Sequence, residues 1–351
     1  MTKKEKINSF DPNSVGNLNN NIFGLPFTTE ESEVVLIPVP WEVTVSYGSG
    51  TANGPKAIFE ASFQVDLYDA KIKDAWKIGI AMDKIPASIK AKSNRLRKKT
   101  EAYISLLEQG KNPESNKKMK AIVTEVDKAA RELNAHVKKT TGNFLSKNKT
   151  VGLIGGDHST PLGFMQALSE QHSSFGILQI DAHADLRKAY EGFEFSHASI
   201  MYNALKINAV SKLIQVGIRD YCEEEVDVIK NNPARIATYF DRDIKRRMFE
   251  GDTWKKICDE IVNQLPDKVY LSFDIDGLDP KLCPNTGTPV AGGFEVEQTL
   301  YLIERVVESG KTIIGFDLNE VSPGKDEWDA NVGARLLYRM ALLTAHSQKK
   351  I

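Results

Sequence analysis

Short apolar runs recur along this chain, separated by stretches long enough to hold a helix: Val34–Val39, Lys77–Ala81, Thr150–Ile154, Phe175–Ile180, Leu213–Ile218, Ile236–Phe240, Val269–Phe273 and Ile313–Leu318. They are apolar almost throughout rather than at every second position, as strands covered on both faces are. Strands that alternate with helical patterns along a chain pair in parallel, with the connecting helices packed on the two faces. The runs therefore predict one doubly wound α/β domain.

Two segments stand apart from this rhythm. Residues 1–32 are polar, Asn-rich and without period, and are expected to form an extended arm or a cap ahead of a single domain spanning 33–351. Residues 84–148 are Lys-rich and helical in pattern, an insertion expected to pack on the domain or against a neighbouring subunit. Ile122, Val126, Ala129, Leu133 and Val137 form one apolar stripe there, and Asn112-Pro113 divides the segment into two helices.

Charge and cysteine usage narrow the function classes. The chain carries 46 basic and 47 acidic residues, a net charge of −1, so no overall field recruits nucleic acid or a membrane surface. No apolar run approaches the roughly 20 residues a membrane span needs. The opening Met-Thr-Lys-Lys-Glu-Lys lacks the apolar stretch of a secretory signal. Cys222, Cys258 and Cys283 are too scattered for a disulfide framework or a thiolate zinc site. A soluble protein of the reducing cytoplasm is expected.

Chemistry concentrates where three of the runs end. The first motif is Gly155-Gly156-Asp157-His158-Ser159, the second Asp181-Ala182-His183-Ala184-Asp185, and the third Asp274-Ile275-Asp276-Gly277-Leu278-Asp279-Pro280. In a parallel sheet all three emerge at the carboxyl edge, where such folds bind their ligands. Asp181, His183 and Asp185 point to one side if that segment stays extended, and Asp274 and Asp276 share the same spacing of two. The paired glycines are expected to permit a tight backbone conformation that places the imidazole of His158. One strand-end Asp usually caps a helix, and one His is usually structural. This many carboxylates with two imidazoles, buried together, would be prohibitive without cations. Carboxylate and imidazole donors without thiolate suit Mn²⁺ and related ions. Bridging carboxylates can hold two of them about 3.5–4 Å apart and so generate hydroxide at neutral pH.

These three motifs, in this order and spacing, resemble those of the ureohydrolase (arginase–agmatinase) family, over about Val34 to Leu343. The helical segment 84–148 is longer than the family leads one to expect. The resemblance implies a three-layer α/β/α sandwich around a mainly parallel sheet of about eight strands, assembled as a homotrimer or homohexamer. It implies a di-manganese centre held by His158, Asp181, His183, Asp185, Asp274 and Asp276, with Asp181 and Asp274 as bridging candidates. Ni²⁺ is the alternative metal. His197 matches the family's loop histidine, a proton shuttle. Glu320 in Asn319-Glu320-Val321-Ser322-Pro323 matches the carboxylate that grips the guanidinium, and Thr288 lies near the substrate by the same analogy.

The chemistry is coherent with those roles. A guanidinium carbon is a poor electrophile, so its attack needs hydroxide and a fixed carboxylate such as Glu320 to orient the planar cation. Asp185 can bind metal and also hydrogen-bond the nucleophile. The leaving amine needs a proton, which His197 can supply. Urea and an amine result.

Substrate choice turns on Arg187. Arginases carry an Asn at that position to hold the substrate's α-carboxylate, so arginine is disfavoured here. The surrounding string, with Tyr190-Glu191-Gly192 and Ser196-His197-Ala198-Ser199, looks most like agmatinases, and agmatine is the expected substrate. Arg187 facing inward would instead receive a carboxylate, as in guanidinobutyrate or formiminoglutamate. Nickel-dependent hydrolysis of guanidine is a further alternative, for which Trp41-Glu42-Val43 and Asp326-Glu327-Trp328-Asp329 are placed to reach the pocket. Two-metal phosphoester hydrolysis and a non-catalytic relative are the remaining classes. The first would want more cations near the metals, and the second should have lost ligands.

Overall fold

A computed structural model describes residues 1–351. Its centre is one sheet of eight strands: β1 (Val34–Pro38), β2 (Ile80–Met82), β3 (Thr150–Ile154), β4 (Phe175–Ile180), β5 (Val210–Ile218), β6 (Ile236–Phe240), β7 (Lys268–Asp274) and β8 (Thr312–Asn319). All are parallel, in the order β2-β1-β3-β8-β7-β4-β5-β6. The expected runs fall on the strands, with two shifts of start: β5 begins at Val210, three residues ahead of the expected Leu213, and β2 begins late. Lys77 and Ile78 belong to a 3₁₀ turn (Ala75–Ile78), and the edge strand β2 begins only at Ile80.

Alternate residues along each strand feed two separate cores, the reason the runs are apolar throughout. Val269, Leu271 and Phe273 of β7 pack with the helices Trp254–Asn263, Val296–Glu308 and Trp328–Ser347 on one face. Tyr270 packs on the other, with the helices Ala87–Glu108, Lys117–Leu145 and Leu162–Ser169. Helices cover both faces of the sheet, which makes three layers.

The stripe on Lys117–Leu145 is buried at every position named from the sequence. Each of its larger side chains gains roughly 1.5–3 kcal/mol by leaving water. The helix starts where Asn116 Oδ1 accepts the amides of Lys118 and Met119, and Asn112 caps the short turn at Pro113. This pair of helices forms the connection between β2 and β3 and packs on the sheet of the same chain. Residues 1–32 are not extended throughout. Lys3–Ser9 is helical, Lys3 Nζ donates to Ile78 O at 2.7 Å, and Ile22, Phe23, Leu25 and Phe27 are buried in the core beside β2. No helix is long and apolar enough to cross a membrane. All three cysteines are unpaired.

Candidate active site

The four strands β3, β8, β7 and β4 are adjacent, and each runs at its carboxyl end into residues singled out above. Parallel pairing brings these ends to one edge, which is how motifs more than 100 residues apart meet. The paired glycines serve packing rather than an unusual turn, since neither has a positive φ. A Cβ on Gly155 would lie 1.8 Å from Asn319 Oδ1, and one on Gly156 would lie 1.9 Å from Trp41 O. Positive φ falls instead on Asp185 (54°) and Glu320 (62°), side chains that a β-region backbone would aim elsewhere.

His158 Nδ1 stands 3.0 Å from Asp181 Oδ2, 3.2 Å from Asp185 Oδ2 and 3.2 Å from Asp274 Oδ2. His183 Nδ1 stands 3.0 Å from Asp276 Oδ2 and 3.7 Å from Asp181 Oδ1. Two groups of donors follow, His158–Asp181–Asp185 and Asp181–His183–Asp276, with Asp181 in both. All are buried except His183, whose side chain is 22% exposed.

The proton on His158 can be located from its neighbours. Ser272 Oγ donates to Asp317 Oδ1 at 3.0 Å, so at 2.9 Å it accepts from His158 Nε2–H. Nδ1 is left as a bare lone pair, buried and without a hydrogen-bond partner, facing three carboxylates. Asp276 Oδ2 is likewise buried and unpartnered. Lone pairs turned toward one another repel unless a cation sits among them, and all six donors fit divalent ions of the Mn²⁺ class.

Without a cation, protons take its place. Burial opposes charge on His158, but Asp181, Asp185 and Asp274 outweigh it and raise its pKa well above the ordinary value. Burial raises Asp185 to about 7 and Asp274 well above the carboxylate range, while the two imidazoles overcome burial at Asp181 and hold it low.

A cavity of about 110 Å³ opens onto this cluster. It is lined by His183, Asp185, Arg187, His197 and Thr288, all expected from the sequence, and by Ser46, Tyr190, Asp220 and Glu225, which were not. A larger cavity of about 700 Å³, between residues 19–30 and 82–85, contains none of these groups. Glu320 is buried beside the ligands. Its Oε1 accepts His158 N–H at 2.9 Å, and its Oε2 has no partner. A Cβ on Gly287 would come within 3.2 Å of that oxygen, so glycine keeps the approach open. Burial, then Asp274 and Asp157, push Glu320 well above its usual pKa. His197 is driven down to about 3 by burial and by the neighbouring imidazoles, which makes it neutral at rest.

Arg187 does not point a free cation into the cavity. Its guanidinium stacks 5.0 Å over the Tyr190 ring, and its Nε lies 3.8 Å from Glu225 Oε2. The two segments thought able to reach the pocket do not line it. Glu42 Oε2 accepts the amides of Gly50 (2.8 Å) and Ala52 (3.0 Å), and Trp41 is buried under Gly156. Asp329 binds Asn285, while Trp328 Nε1 donates to Lys281 O.

Also missed was a line of support across the sheet. Thr238 Oγ1 donates to Gln215 Oε1 (2.8 Å), Gln215 Nε2 to Gln179 Oε1 (2.7 Å), and Gln179 Nε2 to Asp181 Oδ2 (2.8 Å). Its signal was present in the sequence: Gln179, Gln215 and Asp317 are polar residues inside otherwise apolar strands, a costly placement unless each has a partner.

A model of the arginase family matches residues 32–343. An N(1)-aminopropylagmatine ureohydrolase from Synechocystis is 30% identical over 326 residues, covering 91% of this chain and 92% of its own. An agmatinase from Bacillus anthracis is 27% identical over 325 residues, with 90% and 92% covered. The crystal structure of agmatine ureohydrolase of Thermoplasma volcanium superposes with a TM-score of 0.69 at 21% identity, over 99% of each chain, which speaks for the fold. Matched by the family model over nearly its whole length, this chain belongs to the arginase family, the ureohydrolases.

Proposed function

We propose that, within the arginase family's hydrolysis of guanidino compounds, this chain acts on agmatine, releasing urea and putrescine. The observation that carries the catalytic part is Asp181, a carboxylate common to both donor groups. His158, Asp181, Asp185 and Asp274 would hold one divalent cation, and Asp181, His183, Asp274 and Asp276 the second. With divalent cations held by these residues, Mn²⁺ or alternatively Ni²⁺, the site would supply a hydroxide nucleophile at neutral pH.

The chain's own groups do the rest. The unpartnered Glu320 Oε2 takes the guanidinium by charge-assisted hydrogen bonds and fixes its plane against the ligand cluster. Asp185, inside the cluster and on the cavity wall, orients the nucleophile. His197, neutral at rest and partly open to the cavity, relays the proton given up by the attacking water to the leaving amine. Thr288 and Ser46 line the path of the tail.

Arg187 supports a cationic rather than an acidic tail, because its charge is already matched by Glu225 and spread over Tyr190. N(1)-aminopropylagmatine is the second reading. It is favoured by Asp220, whose carboxylate stands 68% exposed on the cavity wall, 3.8 Å from His183 Nε2, and offers an acceptor to a further amine. Assembly as a homotrimer or homohexamer is part of the same proposal.

Urea release from the Mn²⁺-loaded and the Ni²⁺-loaded protein tests it, with agmatine, N(1)-aminopropylagmatine, arginine, guanidinobutyrate and guanidine offered in turn. Formiminoglutamate is followed by formamide. Turnover confined to a carboxylate-bearing substrate, or to guanidine, would overturn the tail assignment. No turnover of any would overturn the reading.

A further inference from the structure

We infer that the helix Ala87–Glu108 positions the substrate channel, through Ser93, Arg97, Thr100 and Tyr103 clamping the two loops that carry Ser46 and Tyr190. The inference rests on the cavity being the channel of an alkylguanidine hydrolase. It gives a task to the helical segment that the sequence left without one.

The four residues follow one another at spacings of four, three and three, which is a single face of a helix. Ser93 Oγ accepts from Glu42 N at 2.9 Å and bonds Glu42 O at 3.2 Å. Thr100 Oγ1 donates to Val43 O, and Arg97 Nη1 donates to Val45 O. Tyr103 Oη donates to Glu191 O at 2.8 Å. Residues 41–50 belong to no strand or helix, so their backbone groups need partners from elsewhere. One helix face supplies them, and Ser93, Thr100 and Tyr103 are buried in doing so.

The second loop is held in a conformation it would not adopt freely. Glu191 has φ 52° and Gly192 φ 86°, and a Cβ on Gly192 would meet Tyr103 Oη at 3.0 Å. Just before it, Tyr190 turns its ring edge-on to His197 at 5.9 Å and lies under Arg187. Its Oη is 3.5 Å from Ser46 Oγ, so the two clamped loops meet at the cavity wall. None of the four clamping residues touches the ligand cluster or Glu320. Releasing a clamp should therefore disturb the tail of a substrate and leave its guanidinium end alone.

The test compares Thr100→Val and Tyr103→Phe, which keep shape and lose the hydroxyl, with Thr100→Ser, which keeps the hydroxyl. KM for agmatine should rise about fivefold in each of the first two, the equivalent of one hydrogen bond, with kcat changed less than KM because Tyr190 also faces His197. The inhibition constant of guanidine, which has no tail, should not move, and Thr100→Ser should resemble wild type. Three outcomes would overturn the inference: an unchanged KM for agmatine, a parallel rise for agmatine and guanidine, or Thr100→Ser behaving as Thr100→Val does. A wild-type protein that turns over no guanidino compound would overturn the proposed function, and the inference with it.

Discussion

Ser272 Oγ lies 2.9 Å from His158 Nε2 and hands its own proton to Asp317, so the imidazole offers a deprotonated Nδ1 to the carboxylates around it. A strand residue that touches no candidate cation position thereby selects the tautomer able to ligate. Ser272→Ala should weaken Mn²⁺ binding about 10- to 100-fold while the fold persists. Calorimetric titration with Mn²⁺ measures this, and an unchanged affinity would remove Ser272 from the site.

His183 is the most accessible of the proposed ligands, and its removal should cost the fold little. His183→Ala is expected to lose activity and metal content with an unaltered circular dichroism spectrum. Full activity in this variant would sink the dimetal centre.

Glu320→Gln preserves shape and the bond from His158 N–H but removes the charge offered to the guanidinium. A hydrogen bond to a charged group contributes roughly 1.5–3 kcal/mol, so kcat/KM should fall about 10- to 150-fold. Metal content should stay constant. A variant that loses its metal instead would reassign Glu320 to the ligand set.

Removing the metals should make stability depend on pH in a particular direction. Burial raises Asp185 from 3.8 to about 7 and carries Asp274 in the same direction. The neutral acids are favoured by the fold, so the metal-free protein is stabilised below pH 4 and loses that contribution as pH rises toward 7. His158 and His183, raised well above 6.5, lose theirs at higher pH still, which has the same sign. Chelator should accordingly lower the melting temperature more at pH 8 than at pH 5.5, two values on either side of the raised Asp185 pKa of about 7. An equal drop at both would contradict the crowding of these carboxylates.

Glu191 gives a second pH effect away from the ligands. Burial raises it to about 6, and its Oε2 has no partner. Wild type should lose stability relative to Glu191→Gln as pH rises from 4.5 to about 6, and denaturant melts across that range would register the difference. Parallel melts would mean that the carboxyl is solvated after all.

Much of the candidate site was legible because its signals are local. The unbroken apolar runs announce strands buried on both sides, and a parallel sheet gathers the residues that follow them at one edge. Spacing of two within Asp181–His183 and Asp274–Asp276 needs no further knowledge of the fold, whereas Asp185 joins them through a left-handed backbone that the spacing did not announce. β2 was placed too early because a three-residue edge strand has almost no pattern of its own, and the turn before it is apolar too.

What the chain could not disclose by itself is which side chains from different elements meet. Arg187 read alone is a cation at the pocket entrance; Glu225, 38 residues on, and the Tyr190 ring decide that it is compensated. Gly155 and Gly156 look like turn formers, yet Asn319 and Trp41, brought close by β8 and the loop after β1, are what forbid a side chain there. Ser93, Arg97, Thr100 and Tyr103 are an unremarkable polar helix face until two loops are laid against it. Periodicity and donor chemistry are written residue by residue, so the sequence determined the sheet and its cluster of candidate metal ligands. Hydrogen bonds and charge pairs between distant segments exist only once the chain is packed, and the tertiary structure alone decided how the pocket is walled.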